Sequence, residues 1–178
     1  MTGQVIWITG LSGAGKTTVA KELSRRIQER GLQPVLLDGD ILRDLLRSPK
    51  KINETYSRHE RIIYSKKYAL LCKNLSSQGF TVIIATISMY KEIYVWNRAN
   101  LPKYFEVYLN VPLSELRRRD PKSIYKNFDF GAIQNVAGLD LKVDQPRLAH
   151  LKIDFTLRQT PEEIAEIILE KLSKENQK

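Results

Sequence analysis

The chain has 178 residues and an apolar fraction of 42%, which together predict one folded domain, residues 1–178, with a buried core. Its net charge of +9 suits polyanionic ligands; because aromatic residues make up only 8% and no nucleic-acid-binding motif is evident, we favour small phosphorylated molecules over nucleic acid. No apolar run is long enough for a membrane span, no leader peptide is evident, and a single cysteine excludes an internal disulfide, so we expect a cytoplasmic protein without a membrane partner.

The first predicted elements are a strand over residues 4–9, a glycine-rich loop and a helix near residues 16–30. The loop matches the pattern G-x-x-x-x-G-K-[ST], and its residues are Gly10, Leu11, Ser12, Gly13, Ala14, Gly15, Lys16 and Thr17, followed by Thr18. Glycines let backbone N–H groups turn inward and form an anion site at the positive end of a helix. In such a loop the lysine reaches the β- and γ-phosphates and the threonine hydroxyl binds Mg²⁺. The pattern therefore predicts binding of a nucleoside triphosphate with Mg²⁺.

A second strand near residues 35–37 is followed by two acidic residues, Asp38 and Asp40. We expect both to lie at the same edge of the sheet as the phosphate loop. Phosphoryl transfer needs a carboxylate that orients the acceptor hydroxyl or holds Mg²⁺ through water. Either acid could serve while the other caps the short helix predicted near residues 41–47, which carries Arg43 on its first turn.

The rest of the chain continues the alternation of helices and strands. The predicted elements are a helix over residues 58–78, a strand over 80–85, a helix near 91–99, a strand over 105–111, a helix over 113–119, a strand over 153–156 and a last helix that opens with Thr160, Pro161 and Glu163. This order predicts a three-layer α/β fold with a five-stranded, mostly parallel sheet, helices on both faces and ligands beyond the carboxyl ends of the strands.

Residues 120–150 show no clear periodicity, and we interpret residues 117–147 as a lid over the site. The lid opens with Arg117, Arg118 and Arg119 and continues to Lys122. Cations on a mobile segment would neutralise charge that develops on a triphosphate. A helix C-terminus also attracts cations, so one or two of the three arginines could be surface residues instead.

In this order, the motifs resemble the adenylylsulfate kinase family, which phosphorylates the ribose 3′-hydroxyl of adenosine 5′-phosphosulfate with ATP. The resemblance covers residues 6–155 and rests on the phosphate loop, Leu37-Asp38-Gly39-Asp40 with Arg43, Ile87-Ser88, Glu106-Val107-Tyr108-Leu109, Arg119-Asp120-Pro121-Lys122 with Tyr125, and Asn135 with Gly138 and Asp140. It implies the P-loop NTPase fold, Mg²⁺-dependent kinase activity and a homodimer.

The resemblance also implies roles for individual residues. It assigns ATP binding to Gly10, Leu11, Ser12, Gly13, Ala14, Gly15, Lys16, Thr17, Thr18 and Arg119, acceptor binding to Asp40, Arg43, Tyr56, Arg61, Ile87 and Lys122, and the metal to Thr17 and Asp40. Catalytic positions are Lys16, Asp40, Asp38 and Ser88. Ser88 matches a serine sometimes assigned as a phosphoenzyme intermediate; because direct in-line transfer needs none, we favour a pocket-lining or hydrogen-bonding role.

The departures from the family pattern fall on the acceptor side of the site. Ile41 and Tyr64 stand where the family usually has asparagine, Met89 replaces a proline, and Ser123 replaces a glycine. An asparagine amide offers a paired donor and acceptor, and a tyrosine cannot make the same two contacts. Some divergent relatives found with capsule-biosynthesis genes look similar at these positions, and one of them acts on another activated nucleotide, cytidine diphosphoramidate, also at a ribose 3′-hydroxyl.

The leading hypothesis is a kinase that acts on adenosine 5′-phosphosulfate, and the first alternative is the same reaction on cytidine diphosphoramidate. A nucleotide-binding regulatory module without catalysis is a further alternative, but such a module would not need Asp38, Asp40 and Lys122. A nucleic-acid-binding protein rests on charge alone.

Overall fold

The structure is a computed structural model that describes residues 3–46, 57–155 and 159–175. Its elements are β1 (Gln4–Thr9), α1 (Lys16–Glu29), β2 (Val35–Asp38), α2 (Gly39–Leu46), α3 (Arg58–Ser77), β3 (Thr81–Ala85), α4 (Lys91–Asn100), β4 (Tyr104–Asn110), α5 (Leu113–Arg119), α6 (Ile124–Asp129), β5 (Leu151–Asp154) and α7 (Pro161–Glu175). The strands form one sheet in the order β2-β3-β1-β4-β5, and every neighbouring pair is parallel. The prediction of a five-stranded α/β fold is confirmed.

The sheet is buried between two layers of helices, as the apolar strands predict. Side chains alternate along a strand, so Ile6 and Ile8 of β1 join one core cluster with residues of α1 and α7. Val5 and Trp7 face the opposite side and pack with residues of α3 and α4. Cys72 of α3 lies in this second cluster, where burial raises the pKa of its thiol to about 12. A buried thiol with so high a pKa is a poor nucleophile at neutral pH.

Helix α2 begins at Gly39, two residues earlier than predicted, and two further elements differ from the prediction. The segment over residues 120–150, predicted without regular structure, contains the short helix α6, whose first turn is capped by Asp120: its carboxylate accepts hydrogen bonds from the backbone N–H groups of Tyr125 (3.2 Å) and Lys126 (2.9 Å). A six-residue helix has too few turns to show a periodic apolar pattern. The last strand, β5, begins two residues earlier than predicted, because Leu151 pairs with Val107 of β4.

The amino-terminal end of α7 forms as predicted. The Thr160 hydroxyl lies 3.2 Å from the Glu163 backbone nitrogen, whose N–H it accepts, and the Glu163 carboxylate accepts from the Thr160 N–H at 2.9 Å. Among the described residues no helix combines the length and the apolar character that a bilayer crossing requires. The carboxyl ends of β1, β2 and β3 all meet at one edge of the sheet, and this edge carries the site described next.

Candidate functional site

The phosphate loop joins β1 to α1 in a conformation that leaves backbone N–H groups available. Gly13 and Gly15 have φ angles of 78° and 89°, in the left-handed region that a side chain rarely adopts. Gly10 lies so close to β4 that a Cβ atom there would approach the Leu109 carbonyl oxygen to 2.7 Å. Helix α1 has neither a side-chain cap nor an acidic residue in its first turn, so its positive end is open to an anion.

Lys16 is folded back onto its own loop. Its ammonium group donates a hydrogen bond to the Leu11 carbonyl oxygen at 2.8 Å. Burial lowers the pKa of this ammonium group to about 8, although the nearby carboxylates of Asp40 and Asp38 oppose that shift. A negatively charged ligand in the loop would stabilise the charged ammonium group and so compensate for the hydration that it loses on burial.

Asp38, the last residue of β2, makes two contacts that fix its carboxylate. One oxygen accepts a hydrogen bond from the Thr17 hydroxyl at 2.7 Å. The other accepts from the Asp40 backbone N–H at 2.8 Å and thereby caps α2. The sequence left open which acid caps the helix while the other faces the phosphates; in the structure Asp38 does both.

Asp40 lies on the first turn of α2 and is surrounded by cations. It forms an ion pair with Lys122, which is 82 residues away in the chain, and a second with Arg43 at 2.9 Å. Burial opposes ionisation of Asp40, but the hydrogen bond from Lys122 and the charges of Arg43, Lys122 and Lys16 outweigh it and hold the pKa of the carboxyl below its usual value. Asp40 is therefore ionised at neutral pH.

The phosphate loop and the Asp40 region line one continuous cavity of about 850 Å³. The predicted site residues on its wall are Ser12, Gly13, Gly15, Lys16, Thr17, Thr18, Asp38, Asp40, Arg43, Arg61, Ile87, Ser88, Arg119 and Lys122. We call the part formed by Asp40, Arg43, Arg61 and Lys122 the basic half. Arg61, on α3, donates to the Asn135 carbonyl oxygen at 2.9 Å, and burial lowers the pKa of its guanidinium.

Three other predicted loop residues lie beside the cavity rather than on its wall: Gly10 and Ala14 support the loop backbone, and Leu11 supplies the carbonyl that binds Lys16. Tyr56 lies outside the described residues. Only Arg119 of the arginine triplet lines the cavity; its guanidinium pairs with Glu115 at 2.6 Å and lies 4.7 Å from the centroid of the Phe155 ring.

The other two arginines of the triplet are engaged away from the cavity. Arg117 pairs with Asp129 of α6, and Arg118 pairs with Glu115 at 2.7 Å. The interpretation that one or two of these arginines belong to the surface therefore fits the structure. From the segment that was predicted as a lid, Arg119 and Lys122 line the cavity.

Several lining residues were not predicted from the sequence: Ser65, Tyr68, Thr86 and Tyr90. Two of them could have been predicted from helical spacing. Ser65 and Tyr68 follow Arg61 at intervals of four and seven residues and so share its face of α3. Thr86 directly follows β3, at the edge of the sheet where ligands of parallel α/β proteins bind.

Thr86, Ser88 and Ser65 form a cluster of buried hydroxyl groups on the cavity wall. The Ser88 hydroxyl lies 2.8 Å from that of Thr86 and 2.7 Å from that of Ser65. Thr86 also packs against Gly39, where a Cβ atom would come within 2.7 Å of the threonine hydroxyl. We refer to these three residues as the hydroxyl cluster.

The oxygen ligands that lie between the phosphate loop and the basic half suit Mg²⁺. Thr17 and Asp38 offer hydroxyl and carboxylate oxygens, the hard ligands that this ion prefers. Within residues 3–46, 57–155 and 159–175 no three histidine, cysteine or acidic side chains gather as they would in an all-protein metal cage. An ion held by Thr17 and Asp38 would take its other ligands from phosphates and water.

Comparison with known proteins agrees with this geometry. Residues 2–154 match the family model described as Adenylylsulphate kinase. The cytidine diphosphoramidate kinase of Campylobacter jejuni serotype O:2 is 39% identical over 95% of this chain and 96% of its own length. The probable adenylyl-sulfate kinase of Pyrococcus abyssi is 35% identical over 96% of this chain and 95% of its own length.

The fold is also that of a solved family member. The structure of the Mycobacterium tuberculosis APS kinase CysC in complex with AMPPNP and APS superposes with a TM-score of 0.85 at 28% identity, over 97% of this chain and 98% of that one. The family match covers most of the chain, and the phosphate loop and the cavity beside it are those of a phosphotransferase. This chain therefore belongs to the adenylylsulfate kinase family and is an ATP-dependent kinase with the P-loop fold.

Proposed function

We propose that this kinase transfers the γ-phosphoryl group of ATP to the ribose 3′-hydroxyl of a nucleotide whose 5′-phosphate carries a second tetrahedral group. The observation that carries the proposal is the single cavity in which the phosphate loop faces Asp40, Arg43 and Arg61. One half offers a triphosphate site, and the other combines a carboxylate for a hydroxyl group with cations for an acidic 5′-chain.

Our first candidate acceptor is cytidine diphosphoramidate, and adenosine 5′-phosphosulfate is the second. From the sequence motifs alone, adenosine 5′-phosphosulfate was the leading hypothesis. The similarity to the Campylobacter jejuni kinase over nearly the whole of both chains favours the change, as do Ile41 and Tyr64, which line the cavity at positions where the adenylylsulfate kinase pattern has asparagine. The similarity to adenylyl-sulfate kinases, at 35% for the Pyrococcus abyssi protein, keeps the second candidate.

In the proposed reaction the acceptor oxygen attacks the γ-phosphorus of ATP in line with the bond to ADP. The new O–P bond forms as the bond to the β-γ bridging oxygen breaks, ADP leaves, and the hydroxyl proton passes to Asp40. Asp40 has a lowered pKa and is a weak base, so its main effect is to orient the hydroxyl; a loose phosphoryl transition state needs little more. Lys16 leaves the Leu11 carbonyl to neutralise charge on the transferring group.

We propose that Mg²⁺ is held by Thr17 and Asp38. The family resemblance implies Thr17 with Asp40, so the change concerns only the carboxylate. The Thr17 hydroxyl contacts Asp38, whereas Asp40 is paired with Lys122 and Arg43. When bound with ATP, Mg²⁺ would neutralise negative charge on the β- and γ-phosphates. The homodimer that the family resemblance implies and the cytoplasmic location that the sequence features favour remain proposals. Light scattering on the purified chain would test the first.

The test is a direct assay of both acceptors. The purified chain is incubated with MgATP and either cytidine diphosphoramidate or adenosine 5′-phosphosulfate, and ADP release and the 3′-phosphorylated product are followed by chromatography with mass detection. We expect a higher kcat/KM with the cytidine compound. Turnover of the sulfate compound alone would reverse the order of the candidates. Tight ATP binding with no turnover of either would favour a regulatory module.

A further inference from the structure

The hydroxyl cluster lies between the two groups that the proposed reaction must hold in register. Its side chains are almost fully buried: Ser65 is 3% exposed, Ser88 4% and Thr86 6%. Each hydroxyl can donate one hydrogen bond and accept two, so three neighbouring hydroxyls can satisfy one another without any charged group. This is a neutral, directional connection on the wall of a cavity that is otherwise rich in charge.

One end of the hydroxyl cluster reaches the acidic residues. Thr86 directly follows β3, and its backbone N–H donates to the Ile8 carbonyl oxygen at 3.0 Å, which fixes it to the central strand of the sheet. Its side chain touches Gly39, the residue between Asp38 and Asp40. A shift of Thr86 would therefore move the start of α2 and, with it, Asp40.

The other end reaches Arg61 of the basic half. Ser65 is one turn beyond Arg61 on α3, and its hydroxyl lies 2.7 Å from the Arg61 carbonyl oxygen as well as from the Ser88 hydroxyl. Ser88 is the only member that contacts both of the others. Its hydroxyl thus joins the element that carries Asp40 to the helix that carries Arg61.

Ser88 adopts a backbone conformation that must be held in place. Its φ angle of 30° lies on the left-handed side, where a residue other than glycine is strained. Its carbonyl oxygen accepts from the Tyr90 N–H at 3.0 Å, and the carbonyl of the next residue, Met89, accepts from the Asp144 N–H at 2.8 Å. Strain of this kind persists where the surroundings over-determine it, and here it aims the Ser88 hydroxyl at Thr86 and Ser65.

We infer that Ser88 is a positioning residue: its hydroxyl holds Asp40 and Arg61 at the separation that the acceptor requires, and it does not itself take up the phosphoryl group. The inference rests on the proposed function for the identity of the reaction. Both groups bonded to Ser88 are hydroxyls, and neither is a base at neutral pH, so the cluster does not provide the activation that a nucleophilic serine needs.

A double-mutant cycle tests the connection. We compare Ser88→Ala, Ser65→Ala and the double variant with the wild type, using whichever acceptor the wild type phosphorylates. Each single change should raise the acceptor KM by about fivefold to tenfold, the range of one or two lost hydrogen bonds, and leave the KM for ATP within about twofold. Because both changes break one connection, the double variant should be no worse than the poorer single variant.

Two further variants separate positioning from a general loss of packing. Thr86→Val keeps the shape of the side chain and removes its hydroxyl, so it should reproduce the rise in acceptor KM. Ser76→Ala is the matched control: Ser76 is a fully buried serine of the same helix whose hydroxyl bonds the Lys73 carbonyl at 3.2 Å, and the residue does not line the cavity. It should leave both KM values unchanged.

Amide hydrogen exchange supplies a readout that needs no acceptor. In the ligand-free protein, Ser88→Ala should speed exchange in α2 and in the part of α3 near Arg61, whereas Ser76→Ala should not affect α2. Unchanged exchange in both helices would overturn the inference, whether or not either candidate acceptor is a substrate. Failure of both acceptors to react would count separately, against the proposed function.

Kinetics and mass spectrometry give the other contradicting results. Additive effects of Ser88→Ala and Ser65→Ala, or equal rises in both KM values, would overturn the positioning role. Phosphoserine at position 88 after incubation with MgATP alone, together with complete loss of turnover in Ser88→Ala, would establish the covalent role instead.

Discussion

At the scale of single residues, the contrast between Asp38 and Asp40 leads to the first prediction. Asp38 is bound by Thr17 and caps α2, whereas Asp40 is paired with Lys122 and Arg43 in the basic half. Asp40→Asn keeps the size of the side chain but removes the negative charge that orients the acceptor hydroxyl and receives its proton, so we expect kcat to fall by about 10²–10⁴-fold with little change in ATP affinity. Steady-state kinetics and titration with an ATP analogue measure the two quantities.

The control for this variant is Asp44→Asn, an equivalent change on an exposed residue of the same helix. It should keep nearly full activity. If Asp40→Asn also turns over at a rate close to that of the wild type, Asp40 does not orient or deprotonate the acceptor.

The lowered pKa of Lys16 leads to a prediction about the pH dependence of nucleotide binding. Burial lowers the pKa of its ammonium group to about 8 in the free protein, while bound phosphates favour the charged form and raise it again. ATP therefore binds the protonated state, and affinity should be constant below pH 8 and fall as the pH rises above it, by up to about tenfold per unit. Calorimetric titration with AMPPNP between pH 7 and pH 9.5 measures this slope.

Lys16→Arg provides the comparison for this titration, because a guanidinium keeps its proton throughout the range. The variant should show little of the slope above pH 8. Equal slopes in the two proteins would assign the effect to another group.

Tyr64 predicts the choice of acceptor. Its ring lines the cavity beside Lys67, whose ammonium nitrogen lies 5.1 Å from the ring centroid. Tyr64→Asn restores the amide of the adenylylsulfate kinase pattern, so we expect the ratio of kcat/KM for adenosine 5′-phosphosulfate over cytidine diphosphoramidate to rise at least about tenfold, the value of a good polar contact. Competition between the two acceptors in one reaction measures the ratio.

Ile63→Asn is the matched control for Tyr64→Asn, since Ile63 is the adjacent residue of α3 and lies outside the cavity wall. It should leave the acceptor ratio unchanged. A ratio that moves in neither variant would remove Tyr64 from the determinants of specificity.

At the scale of elements, the start of α6 stores strain. Ser123 has φ and ψ of 53° and 25°, the left-handed conformation, and its side chain makes no capping hydrogen bond. Ser123→Gly places there the residue of the family pattern and removes a cost of about 1–2 kcal/mol, partly offset by the larger entropy of glycine in the unfolded chain. We expect a net gain of about 0.5–1 kcal/mol in the free energy of unfolding, measured by urea denaturation.

The same chemical change should have the opposite sign inside a helix. Ser114→Gly, on the exposed side of α5, is expected to cost about 0.5 kcal/mol because glycine is a poor helix former. If the two variants shift stability in the same direction, backbone strain at Ser123 is not the cause.

The elements also show how far local pattern reaches. The phosphate loop, the helix boundaries at α1 and α5 and the parallel sheet were predictable, because each depends on neighbouring residues or on simple alternation. Helix α6 was not, since its cap comes from Asp120 and its six residues show no period. In the site, Asp38 and Asp40 were predictable as a pair, but the division of roles between them depends on Lys122, which is 82 residues away from Asp40.

At the scale of the whole molecule, one buried ion pair ties three segments together. Glu106 of β4 is fully buried and pairs with Arg98 of α4, which also donates to the Leu148 carbonyl oxygen at 3.1 Å. Burial raises the pKa of the Glu106 carboxyl, and the charge of Arg98 limits that rise. Arg98→Met leaves the acid without this partner, so we expect the free energy of unfolding to fall by about 3 kcal/mol.

The pH dependence of that loss follows from the sign of the shift. An acid whose pKa is higher in the folded than in the unfolded state costs nothing while it is protonated in both, and destabilises the fold as the pH rises through the folded pKa. Arg98→Met should therefore be more destabilising at pH 8 than at pH 5. Adding Glu106→Gln removes the buried charge and should recover much of the loss; a double variant as unstable as Arg98→Met would point to lost packing instead.

The contact between Gly39 and Thr86 sets a limit on how this enzyme can be redesigned. Any larger residue at position 39 would collide with the Thr86 side chain. Gly39, which separates Asp38 from Asp40, therefore cannot be replaced. Ile41 and Tyr64, by contrast, lie on the cavity wall outside that contact. A combinatorial library for new acceptors should therefore vary positions 41 and 64 and keep Asp38, Gly39 and Asp40 constant. Selection would then act on acceptor recognition and leave the catalytic residues unchanged.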